Sequence, residues 1–304
     1  MSDPVAQVHD AHVRRLAGID PLVQVAGLDL TSEASVEWSP DRQAVALVDV
    51  RETDPESEAG LWVDDRVVRL QVRAASDEAA AAIGELLARA RRIGADVGTT
   101  HVSVASRDTA MIGPLLRAGF APNAVLAVHR LTRADVRPPA AGEQGDVVVR
   151  EARPDDLDAV VAGNVAVQAH DAHLGGLPDR PGAERVIRPG VEKALRERPG
   201  WTWVAEQYGA VVGVCQMEPP EDTQWVAGEV ASPSTAYLAD LYVDPAARGR
   251  RVGSRLVAAA HLRATAAGAQ VAVLHHSAAN PLSTPFWARA GYRPLVTGWA
   301  RRVS

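Results

Sequence analysis

The sequence predicts a mixed α+β fold, in the α/β class, built twice in tandem. Length, an internal repeat and alternating strand and helix patterns carry that expectation. At 304 residues the chain has room for about two domains, each with its own core. The stretch Leu116–Pro122 matches Ala288–Pro294 in residue type, at a constant offset of 172 residues. Upstream of each, Ala88–Ala105 and Arg263–Leu274 both read as a helix end, a glycine stop (Gly94 and Gly268) and a strand. So long a period marks a duplicated domain, because solenoid repeats run roughly 20–50 residues. The expected division is residues 1–136, a Pro/Gly-rich linker at 137–145, and residues 146–304.

Element by element, the second copy is the clearer. A strand over Asp146–Arg150 leads to a helix over Pro154–Ala169, whose Pro-Asp-Asp opening suits a helix N-terminus. A Gly/Pro-broken loop at Gly175–Pro178 precedes a helix over Ala183–Arg198. Trp201–Glu206 and Val211–Met217 form a hairpin. A strand over Tyr237–Val243 is halted by Asp244-Pro245, and a helix runs from Arg251 to about Ala267. A buried strand at Gln270–Leu274, a helix from Leu282 to Ala290 and a strand from Tyr292 to Arg302 close the chain. The first copy shows strands near Ala44–Val50 and Leu61–Gln71, a helix over Asp77–Arg91, a strand over Thr100–Ala105, a short helix and a last strand. Its beginning has no readable pattern.

Composition narrows the function. With 47% hydrophobic and 23% charged residues the chain reads as a soluble globular protein. A net charge of −6 argues against a nucleic-acid-binding body. The single cysteine, Cys215, excludes an internal disulfide and lies in an apolar run that suits a buried thiol. No signal region or membrane-spanning run is visible, so a cytoplasmic monomer or homodimer is expected. His170 and His173 have helical spacing but no third ligand, so no metal is expected.

The most informative stretch is Ala236–Ser254. A strand ending in a loop with Arg248, Gly249, Arg250 and Arg251, followed by a helix, presents free backbone N–H groups at the positive end of a helix dipole. Gly249 and Gly253 admit a close anion, and the arginines add charge-assisted donors. A phosphate or pyrophosphate site and an ordinary connection with a solvated basic patch are both open on this segment alone.

Taken with Asn280, Phe286-Trp287 and Gly291-Tyr292, the strand Leu238–Val243 and the loop Arg248–Gly253 resemble the Gcn5-related N-acetyltransferase (GNAT) superfamily. The likeness covers 146–304, and the first copy only at its end. It implies, for each copy, a central mixed, mostly antiparallel sheet with flanking helices. It implies acetyl-CoA as cosubstrate, a small primary amine as acceptor, and direct transfer in the second copy. Leu241, Tyr242 and Val243 would hold the pantetheine arm, with an N–H near Tyr242 facing the thioester carbonyl. Arg248, Gly249, Arg250, Arg251, Val252, Gly253 and Ser254 would hold the pyrophosphate, and Asn280, Phe286 and Trp287 would complete the site. Two departures stand out. Arg251 replaces a usual glycine, and Trp287 stands where many members carry an acidic tyrosine; solvent, Ser283 or Tyr292 are left to protonate the thiolate. The first copy lacks the loop and has Asp77 and Glu78 at the helix start, which repel a pyrophosphate. A tandem with an inactive first half is similar in architecture to the mycothiol synthases, without carrying over their substrate.

For the proton on the amine, Asp240 is the first candidate, Glu229 the second, and His275 and His276 the histidines at a strand end. A structural hydrogen bond or ion pair is the competing role for Asp240, and a capped strand-end ring for the histidines. A non-catalytic CoA-binding or protein-interaction module is the alternative function. An acetyltransferase for a thiol precursor or an antibiotic would differ only in substrate.

Overall fold

The computed structural model describes residues 3–28, 34–93, 97–132 and 146–302. The expected linker at 137–145 and the helix stop at Gly94 lie outside them. In chain order the elements are α1 (Pro4–Ile19), β1 (Ser35–Trp38), β2 (Ala44–Glu52), β3 (Arg66–Ala74), α2 (Asp77–Ala81), α3 (Gly84–Ile93), β4 (Thr99–Ala105), α4 (Thr109–Arg117) and β5 (Ala121–Arg130). The second half holds β6 (Val147–Glu151), α5 (Leu157–His173), α6 (Ala183–Glu197), β7 (Thr202–Gln207), β8 (Ala210–Glu218), β9 (Thr235–Val243), α7 (Val252–Ala266), β10 (Val271–Ser277), α8 (Ser283–Arg289) and β11 (Arg293–Arg302). This is the mixed, mostly antiparallel architecture expected.

Several expected boundaries moved: the helix expected over Pro154–Ala169 is a 3₁₀ turn, Pro154–Asp156, followed by α5 running on to His173, and the strand expected at Gln270–Leu274 continues to Ser277. The strand near Leu61 begins instead at Arg66, because Ala59–Leu61 is a turn of 3₁₀ helix. Leu61 is buried with Val160, Ile187 and Val191 of α5 and α6, so its apolar run serves a contact with the other half. Gly60 permits the turn, since a Cβ there would fall 2.2 Å from the Asp54 carbonyl oxygen. The helix expected over Asp77–Arg91 is broken between Ala81 and Gly84. Ser76 caps its first piece by accepting from the Ala79 N–H.

The eleven strands of the described residues form one sheet in the order β1-β2-β3-β4-β11-β5-β10-β9-β8-β7-β6. The last strand of each half is exchanged. Strand β5 lies antiparallel between β10 and β11, and β11 pairs antiparallel with β4. Packing follows the exchange. Trp299 of β11 is buried in the first half's core with Phe120, Leu115 and Met111. Val125 and Ala127 of β5 lie in the core around α7 with Leu256 and Leu274. A truncation at Trp299 therefore empties the other half's core: Trp299→Ala should cost about 3–5 kcal/mol in urea denaturation, and it should unfold the first half along with the second.

Among the described residues no helix is long and apolar enough to cross a membrane. Cys215 is fully buried, and burial pushes its thiol well above the ordinary range.

Candidate active site

Strands β9 and β10 pair in parallel over only three residue pairs, Thr235↔Val271 to Tyr237↔Val273, and then separate. Strand β9 runs on to Val243 and β10 to Ser277. Leu241, Tyr242 and Val243 thus keep one edge of backbone groups turned away from any β10 ladder. That edge ends at a 3₁₀ turn, Pro245–Ala247, capped by Asp244 Oδ1 accepting from the Ala246 N–H at 2.8 Å. Helix α7 then starts at Val252, so the N–H groups of Val252, Gly253 and Ser254 are the orphan donors of its first turn.

The loop departs from a glycine-rich turn in one respect. Gly249 has φ +78°, and Arg251, at the helix N-cap, has φ +59°. A left-handed backbone at an arginine costs about 1–2 kcal/mol. Arg248, Arg250 and Arg251 are all exposed. Arg248 Nε donates to the Val243 carbonyl at 3.1 Å, which ties the loop to the strand end and leaves the rest of the guanidinium outward. Gly253 also meets a packing need. A Cβ there would stand 3.2 Å from the Phe286 ring, so the glycine lets α8 pack on the start of α7.

A β-bulge decides which side chains share a face. Gln216 lies opposite Asp240, Met217 opposite Leu238 and Glu218 opposite Tyr237, so Ala239 is the extra residue. Strict alternation would place residues 237 and 240 on opposite faces. With the bulge, Leu238 and Leu241 both join the core under α7, and Tyr237, Asp240 and Tyr242 share the α5 side with Gln216 and Glu218. Helix α5 comes close on this side because Gly163 packs against Val214 and Tyr242.

Asp240 is 8% exposed, and its Oδ1 is buried with no hydrogen-bond partner among the described residues. Gln216, directly opposite, is engaged by the Asn164 amide. Desolvation, and then the fields of Glu218, Asp171 and Glu58, push the Asp240 carboxyl up to about 7. Asp171, near the end of α5, accepts from Asn280 Nδ2 at 3.0 Å, and burial raises its pKa also. Asn280 uses its other end to accept from the N–H groups of Leu282 and Ser283, so this side chain joins α5 to the start of α8.

His275 is reachable by solvent yet so enclosed by neighbours that desolvation holds its ring down to about 4. Its Nδ1 meets the Tyr237 hydroxyl at 3.2 Å, and Trp225 stacks over the His275 ring and stands edge-on to Tyr237. His276 is buried with Nδ1 3.1 Å from the Ser277 carbonyl, and desolvation lowers its pKa too. Glu229 lies where the first half's chain crosses this loop, with its carbonyl accepting from Gln24 N–H, and burial raises its carboxyl. Trp287 is buried edge-to-face between Phe286 and Tyr292, and the Tyr292 hydroxyl is 2.8 Å from His261 Nε2. Sequence reasoning missed Glu218 and Tyr237 as members of this face, since a bulge has no mark in the residue pattern.

The first half repeats the splay without the loop. Strands β3 and β4 pair over Val68↔Thr100 to Leu70↔Val102 and then separate. Here Arg15 of α1 bridges Asp77 and Asp108, at the starts of α2 and α4, with contacts of 2.9 and 2.5 Å. The His12 ring lies 3.2 Å from both the N–H nitrogen and the carbonyl oxygen of Ala74, at the end of β3. The carboxylate at the α2 start is thus matched by a protein cation.

A separated strand pair beside a helix start thus sets a free backbone edge, orphan N–H donors and exposed arginines next to one another. Residues 172–292 match the model of the acetyltransferase (GNAT) family. Among curated proteins the chain is 30% identical, over 155 residues, to a mycothiol acetyltransferase of Sanguibacter keddieii. That alignment covers 51% of this chain and 46% of the relative, so the chain spans about half of the relative's length. A GCN5-related N-acetyltransferase from Sphaerobacter thermophilus shares the fold at a TM-score of 0.60 and 17% identity, over 98% of this chain and 91% of that one. A GNAT-family acetyltransferase from Colwellia psychrerythraea does so at 0.52 and 13%, over 100% and 98%.

Two outcomes test this site without any ligand. Arg251→Gly should relieve the left-handed strain, raising stability by about 1 kcal/mol and Tm by about 2–4 °C. Asp240 has a folded pKa above its unfolded one, so its cost to stability is absent below about pH 4, grows as pH rises and is complete above about 7. Asp240→Asn should therefore be more stable than the parent at pH 8, on the order of 2–4 kcal/mol. The difference should vanish near pH 4 in paired denaturation curves.

Proposed function

We propose that the protein is an acetyl-CoA-dependent N-acetyltransferase for a small primary amine, with the chemistry in residues 146–304. The observation that carries it is the buried Asp240 Oδ1, without a hydrogen-bond partner among the described residues, on the strand that separates from β10 beside the α7 start. The residues fit the cosubstrate. The free edge of Leu241–Val243 suits an amide-bearing arm, and the α7 N–H groups with Arg248, Arg250 and Arg251 suit a pyrophosphate. Bound there, acetyl-CoA supplies an activated acyl group.

Asp240 then has two tasks. Its charge draws an ammonium to the α5 side of the splay, and its raised pKa suits it to take the proton that the amine must lose. The backbone N–H near Tyr242 serves the developing oxyanion, a contribution of roughly 3–4 kcal/mol for a preorganised donor. His275 and His276, both held neutral at physiological pH, orient Tyr237 and the strand end instead of carrying the proton. Trp287 has no acidic proton to give the departing thiolate, and the Tyr292 hydroxyl is already matched with His261. Residues 1–136 act as a supporting copy that lends β5 to the sheet and binds no CoA. The Arg15 bridge across its helix starts supports that reading.

Titration calorimetry with CoA should give one site per chain. Arg248→Ala and Arg250→Ala should each weaken it on the order of tenfold to a hundredfold, as expected for a charge-assisted contact of about 1.5–3 kcal/mol. No binding at millimolar CoA would overturn the proposal, and two sites would overturn the role given to the first copy. With a turned-over amine, kcat/KM should fall with pH below about 7, and Asp240→Asn should lose most turnover and flatten that limb while keeping CoA affinity.

A further inference from the structure

Several features of the α5 side point past a single amine. The exposed Trp225, 55% accessible, covers the Tyr237 ring edge-on at 4.6 Å and donates from its indole Nε1 to Glu218 Oε2 at 3.0 Å. Glu218 lies opposite Tyr237, while Asp240 lies opposite Gln216, so the bulge sets the two carboxylates on one face about two ladder steps apart. At the rise of a strand that separation is on the order of 7 Å. Glu58, from the first half, adds its field to both carboxylates. Its segment is held in place by the second half: Arg180 donates to the Gly60 carbonyl at 2.9 Å and to Asp65, and Leu61 is buried under α5 and α6.

We infer that Glu218, Trp225 and Glu58 form a second cation subsite, and that the acceptor is a diamine whose far ammonium rests there while its near amine meets Asp240. The inference rests on the proposed acyl transfer for its chemistry, but not for its binding. An aromatic face beside carboxylates suits an ammonium through cation–π and ionic attraction together, and strongly so where both groups are partly desolvated. The buried Asp240 Oδ1, without a partner among the described residues, is the independent mark of a ligand group at the other end. A neutral tail would leave Glu218 with the Trp225 indole N–H as its partner and no counter-charge. This assigns the first half a direct part in specificity, through Glu58.

The test compares α,ω-diaminoalkanes of four to six carbons with n-alkylamines of the same length. Binding to the CoA-loaded protein is read by calorimetry, and thiol release is read separately. The diamine should bind at least tenfold more tightly and show a kcat/KM higher by a similar factor, mainly through KM. Glu218→Gln and Trp225→Ala should bring the diamine down to the level of the monoamine, and Glu58→Gln should remove a smaller, several-fold part. CoA affinity in each variant checks that the site is folded. Equal binding of diamine and monoamine by the parent protein would overturn the inference, as would a preference that Glu218→Gln leaves intact. Diamine preference without thiol release would uphold this subsite while overturning the acyltransfer reading.

Discussion

The ladder on either side of β5 is the constraint on which the rest of the molecule depends. This strand, from the first half, is hydrogen-bonded to β10 along one edge and to β11 along the other. It closes what would otherwise be two open sheet edges, each a row of unpaired backbone groups. Because β11 continues onto β4, neither half completes its own sheet, and each core takes residues from both. The position of β10, and hence the angle at which β9 leaves it, is set by a strand from the opposite copy.

Within that frame the site is produced by two failures of regularity. The parallel ladder of β9 and β10 stops after Tyr237↔Val273, which frees a backbone edge at the start of α7. The bulge at Ala239 then turns Asp240 to the same side as Tyr237 and Glu218. That side is low in counter-charge. Carboxylates of Asp171, Glu218 and Asp240 all sit above their ordinary pKa, and desolvation is the first cause for each. Such grouping of buried like charges destabilises a fold and is characteristic of functional sites. The α7 start, by contrast, carries outward arginines, so the two ends of the splay have opposite electrostatic character.

Much of this was legible in the residue pattern. The repeat offset, the helix starts and stops of the second half, and the Arg248–Gly253 loop all depend on local backbone chemistry. The burial of Cys215 followed from the apolar run that holds it. The misread stretches have a common cause. Leu61 looked like strand because its run is apolar, yet it is buried against helices more than ninety residues away in sequence. Gly253 has a second requirement that the loop pattern does not show, since Phe286 occupies the space a Cβ would need. Helix α1 and strand β1 were unreadable because what orders them, such as His12 at Ala74 and Arg15 at Asp108, is distant along the chain.

By itself, then, the amino-acid order determined the class of fold, its duplication and the likeness to an acyl-CoA-binding family. Each of these rests on interactions within a turn or a short run of residues: caps, glycine stops, periodic burial and a helix N-terminus. Only the tertiary structure decided the exchange of the last strands, the face on which Asp240 lies, and the entry of Glu58 into the electrostatics of the second half. Strand order and bulge position are set by pairing partners, and a pKa is set by everything packed around the group. Neither quantity is a property of the local sequence.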